Sequence, residues 1–84
     1  MGSIVSVDIF KVKFSKHYYD DPKTNIDEIT TIDYIMTSKK MMVKENLFKI
    51  ERKTKKGNQI YILFRYYPGK NLAKVINAQK KGGR

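Results

Sequence analysis

"NLAKVINAQKK", residues Asn71 to Lys81, decides the architecture of this chain. Leu72, Val75, Ile76 and Gln79 recur at intervals of three and four, the spacing that gathers side chains on one face of a helix. Asn71 stands where an N-cap would, and Gly82 and Gly83 follow as a stop. On this reading the stretch is a short amphipathic helix. Its apolar stripe must then cover one face of whatever the preceding residues build.

Those residues build a hairpin. "LFKIERK" (47–53) and "QIYILFRYY" (59–67) alternate strictly and are joined through the Gly57-Asn58 turn region. Phe48, Ile50, Ile60, Ile62 and Phe64 form one apolar face. Lys49, Lys53, Tyr61, Arg65 and Tyr67 form the other. Leu47 and Leu63 share that second face, which argues for a cover. The helix over 71–81, entered through a Pro68-Gly69 turn, supplies it and leaves Tyr61 and the hairpin tip accessible.

Further upstream, Ile4 to Lys16 reads as a first strand. Its alternation changes phase near Ile9-Phe10, as at a β-bulge. Residues 17–28 are rich in turn formers and read as a loop. "ITTIDYIMT" (29–37) is β-branched and reads as a second strand. Residues 38–46 are either a short helix capped by Ser38 or a turn leading into another strand. The expected fold class is α+β: a small antiparallel β-sheet or half-barrel of four or five strands with a C-terminal helix. The chain reads as one small basic domain over residues 1–84, with 79–84 a flexible tail. In its order of elements and its lysine-tailed ending, such a domain resembles the small chromatin proteins of thermophilic archaea. The resemblance shares no motif and carries over no site residues.

Composition narrows the function classes. Eighty-four residues of which 40% are hydrophobic allow a modest core, more than a disordered chain would carry. There is no Cys, so neither a disulfide framework nor a thiolate metal site supports the fold. No apolar run approaches the roughly 20 residues of a membrane span. The N-terminus lacks a secretory layout, which makes the cytoplasm the default location, or the nucleus in a eukaryotic host. "MGSIVS" formally fits a myristoylation pattern, but it is short and runs straight into the first strand.

Charge is the strongest signal. The net charge is +10, and its distribution is one-sided: residues 1–42 carry six basic and six acidic residues, whereas 43–84 carry twelve basic residues against Glu45 and Glu51. A directed cationic face beside aromatic rings suits nucleic acid, whose phosphates take Lys and Arg and whose bases stack on rings. The expected function is non-catalytic binding of DNA or RNA, mainly by backbone contacts and with low sequence specificity. Lys49, Arg52, Lys53, Lys55 and Lys56 are the expected phosphate contacts, with Arg65 a further one if its face is open. Tyr61 is the expected stacking ring, and Lys80, Lys81 and Arg84 an electrostatic arm. The alternative is a small interaction or inhibitor protein, of the kind viruses encode, that docks its basic face onto an acidic protein partner. Unpaired sheet edges in so small a domain leave room for a homodimer. The carboxylates Asp20, Asp21, Asp27, Glu28 and Asp33 match no metal loop and read as turn and strand-entry residues. His17 has no partner nucleophile at a recognisable spacing. No cofactor, metal or catalytic residue is expected.

Overall fold

The computed structural model describes the backbone of residues 3–5 and all of residues 7–82. Arg84 and the Gly2 and Ser6 of the myristoylation pattern lie outside the described residues. The elements run β1 (Ser3–Val5), β2 (Lys11–Phe14), α1 (Lys16–Asp20), α2 (Glu28–Thr37), β3 (Lys40–Lys44), β4 (Leu47–Lys53), β5 (Gln59–Tyr67) and β6 (Leu72–Lys81). Their strands form one sheet in the order β1-β3-β4-β5-β6-β2. All neighbours are antiparallel except β2 and β6, which run parallel, so the sheet is mixed.

This overturns the expected antiparallel sheet or half-barrel with a C-terminal helix. The C-terminal segment is a strand, and the resemblance that rested on a helical ending falls with it. Asn71 shows why. Its φ is 50°, in the left-handed region, whereas an N-cap residue is extended. Asn71 closes the four-residue turn after β5, in which Lys70 N–H donates to the Tyr67 carbonyl at 3.0 Å. The helical spacing in β6 comes from a bulge. Val75 pairs with Phe64 and Asn77 with Leu63, which leaves Ile76 as the extra residue. The fully buried positions Ala73, Val75 and Ala78 are therefore two and then three residues apart, a sequence pattern that imitates a helix.

Three further readings change. Residues 29–37 are helical because Asp27 caps them: its carboxylate accepts from Thr30 N–H at 3.2 Å, and Thr31 and Ile35 are buried one turn apart. Local capping here outweighs β-branched composition. The loop over 17–28 contains α1, capped by Ser15, whose hydroxyl accepts from Tyr18 N–H at 3.2 Å. The single strand over 4–16 is two strands, β1 and β2, on opposite edges of the sheet, and its change of phase marks the crossing between them. Residues 38–46 contribute strand β3. The β4–β5 hairpin stands as its alternation indicates, in register from Leu47–Arg65 to Lys53–Gln59.

The core lies on one side of the sheet. Phe48, Ile50, Ile60, Ile62, Phe64, Tyr66, Ala73, Val75 and Ala78 cluster there with Tyr18 of α1, Ile35 of α2 and Ile26 between the helices. Both helices therefore cover this side. Tyr18 pins the interhelical loop by donating to the Ile26 carbonyl at 2.6 Å, and burial pushes its phenol above the usual range. β6 extends past the end of β2, and there Asn25 guards its edge. The Asn25 side chain donates to the Lys80 carbonyl at 2.9 Å and accepts from Lys80 N–H at 2.6 Å. Gln79, Lys80 and Lys81 are accordingly held in a strand and do not belong to a flexible tail.

The α2 cap yields a pH prediction. The hydrogen bonds from Thr30 hold the Asp27 carboxyl below its usual value. A depressed carboxylate stabilises the fold above its unfolded pKa of about 3.9, and that contribution is lost as pH falls through the folded value. Asp27→Asn keeps a good cap but has no proton to bind. Its melting temperature should match the parent at pH 7 and decline less steeply below about pH 4. Asp27→Ala should melt a few degrees lower at pH 7.

Candidate nucleic-acid interface on the open sheet face

Side chains alternate across a strand, and residues opposite each other in register share a face. Since Phe64 and Tyr66 face the core, Arg65 does not. Ala73 and Val75 place Lys74 on Arg65's face, and Val12 and Phe14, packed against the core, place Lys11 and Lys13 there too. Register then assembles a row across five strands: Lys44, Leu47, Arg65, Lys74 and Lys13. Neighbouring strands lie about 4.8 Å apart. Arg65, Lys74 and Lys13 are thus directly opposed like charges, an arrangement that costs stability. Among the described residues none of the three has a carboxylate within ion-pair distance.

The rest of this face is of the same character. Lys49 and Leu63 form the next row, then Glu51, Tyr61 and Gln79, then Lys53, Gln59 and Lys81. Lys11, Leu72 and Tyr67 lie at the other end. Eight cations (Lys11, Lys13, Lys44, Lys49, Lys53, Arg65, Lys74, Lys81) meet one carboxylate, Glu51, the only acidic residue in the six strands. Glu51 pairs with Lys49 at 3.6 Å, the one ion pair between a carboxylate and a Lys or Arg among the described residues. Over one end runs a groove of about 410 Å³ lined by Lys23, Glu51, Gln59, Tyr61, Gln79 and Lys81. A depression of about 300 Å³ on the helical side, around Tyr19, Asp21 and Asp27, carries carboxylates and no Lys or Arg, so it suits phosphate poorly.

The residues singled out from sequence divide between surfaces. Lys49, Lys53, Tyr61, Arg65 and Lys81 are on the open face. Lys55 and Lys56 are exposed at the hairpin tip, where Gly57 takes φ 87°. Arg52 belongs to the helical side. Its guanidinium lies 5.4 Å from the Tyr34 ring centre and donates to Ser38 Oγ at 3.1 Å, so it is engaged with α2. Lys80 alternates away from the open face and its main chain is tied to Asn25. The expected helical cover of Leu63 is absent among the described residues, because that segment is β6 itself.

Sequence reasoning missed Lys11, Lys13, Lys23, Lys44 and Lys74 as members of the site. For Lys74 the signal is the alternation of Ala73, Lys74 and Val75 ahead of the bulge. Lys11 and Lys13 alternate visibly as well, but their register partners, Leu72 and Lys74, lie 61 residues away and leave no local mark. Three acidic residues of the first half are engaged within the helical layer. Asp27 caps α2, Glu28 accepts from the Tyr19 hydroxyl at 2.6 Å, and Asp21 accepts from Lys23 N–H at 2.9 Å. Among the described residues no helix is long and apolar enough to cross a membrane. In comparisons with protein-family models, curated proteins and solved structures, nothing matched this chain.

Proposed function

We propose that this chain binds nucleic acid without catalysis, through the helix-free face of its sheet. The observation that carries the reading is the row Arg65–Lys74–Lys13, unneutralised cations in direct register. A fold gains nothing from opposing them, and such local conflicts gather where a site serves a ligand. A polyanion relieves the repulsion. Phosphates would take Lys13, Lys44, Arg65 and Lys74, with Lys53, Lys55, Lys56 and Lys81 extending the track toward the hairpin tip. Tyr61 and Tyr67 offer rings to bases.

An open sheet with rings between cations favours an unpaired strand, whose bases are free to stack. Titration of the protein with single-stranded DNA, RNA and duplex DNA over a range of salt tests this. Binding should be tightest for a single strand and should fall by about 0.7 log units per phosphate contact per decade of salt. Absence of binding to all three at about 50 mM salt, where such contacts are strong, would overturn the reading and favour an acidic protein as the partner.

A further inference from the structure

We propose that the groove over Tyr61 is a site for one unpaired guanine base. The inference rests on the nucleic-acid reading above and names what that face recognises. Tyr61 lies in the groove with Glu51 opposite it on β4 and Gln79 opposite it on β6. Lys81 and Lys23 stand at its margin, the latter brought in by the loop that ties Asn25 to β6. A ring flanked by cations is a place for a base with its neighbouring phosphates.

Glu51 makes the site selective. A surface that only tracked phosphates would have no use for a carboxylate, which repels them. Yet the only acidic residue of the six strands sits beside the ring. An ionised carboxylate accepts hydrogen bonds and donates none. Guanine presents N1–H and the N2 amino group side by side, two donors that match two carboxylate oxygens. Uracil and thymine present one N–H between two carbonyls, which a carboxylate repels. Cytosine and adenine offer one amino group next to an acceptor nitrogen. The Gln59 and Gln79 amides can donate to the guanine O6. Lys49, 3.6 Å from Glu51 Oε2, holds the carboxylate in place. In a duplex this edge of guanine is already paired, so the site requires a single strand.

The test uses labelled oligouridylates: all uridine, one central guanosine, and one central inosine, which lacks the N2 amino group. The parent protein should bind the guanosine oligomer roughly tenfold more tightly than the all-uridine one, the discrimination expected of a good two-bond contact. Inosine should fall between them. Glu51→Gln should lose the preference while binding oligouridylate at least as well as the parent, because a negative charge has left a cationic face. Equal binding of all three by the parent, or a preference that survives Glu51→Gln, would overturn the guanine site and leave nucleic-acid binding intact. Failure to bind any of the three would overturn both.

Discussion

Lys74→Glu should weaken single-strand binding roughly ten- to hundredfold at about 0.1 M salt and leave the protein at least as stable as before. The substitution puts a carboxylate between Arg65 and Lys13, its direct neighbours in register. It removes one phosphate contact and neutralises part of two others, so the dependence of affinity on salt should flatten by one to two contacts' worth. The same change turns two repulsive cross-strand pairs into attractive ones, each worth about 0.2–1 kcal/mol. Affinity and stability should therefore move in opposite directions, which a merely damaged fold cannot do. Arg52→Gln is the matched control. It removes a cation of the same hairpin, but one engaged with Tyr34 and Ser38 on the other side, so affinity should hardly change. A Lys74→Glu protein that binds like the parent would remove the row from the site.

Ala78→Glu should largely unfold the protein. Ala78 is fully buried opposite Ile62, itself fully buried, in a core covered by α1 and α2. An uncompensated charge there costs about 3–5 kcal/mol. An 84-residue chain has roughly 4–13 kcal/mol in all, at about 0.05–0.15 kcal/mol per residue. The melting temperature should fall by roughly 12–40 °C, taking 4–8 °C per kcal/mol for a domain of this size. The position discriminates sharply. A helix over 71–81 would bury Leu72, Val75, Ile76 and Gln79 and leave Ala78 off that face, where glutamate is harmless. A shift of only a few degrees would contradict the strand.

That contrast shows where the sequence was legible. The β4–β5 hairpin could be read because nothing interrupts its alternation from Leu47 to Lys53 or from Gln59 to Tyr67. Alternation also placed Lys49, Lys53, Tyr61 and Arg65 on one face. Followed strictly, it would have put Arg52 on the other, since Arg52 has the parity of Phe48 and Ile50. β6 was misread because one bulged residue, Ile76, turns a spacing of two into three and imitates a helical stripe. α2 was misread because isoleucine and threonine favour strands on average, whereas one capping carboxylate and a buried turn decide the local outcome. The parallel pairing of β2 with β6 is set by packing across most of the chain. With it came Lys11 and Lys13, so one of the three cations in the row that defines the site, Lys13, could not be placed from any short window.

The most direct measurement is an amide and side-chain NMR titration of the labelled protein with a short single-stranded oligonucleotide at low salt. The largest shift changes should fall on Lys13, Arg65, Lys74 and Tyr61, whose side chains share the helix-free face. Ile35, Tyr34 and Arg52 on the helical side should stay nearly still. Changes concentrated on α2, or none at all, would contradict the account.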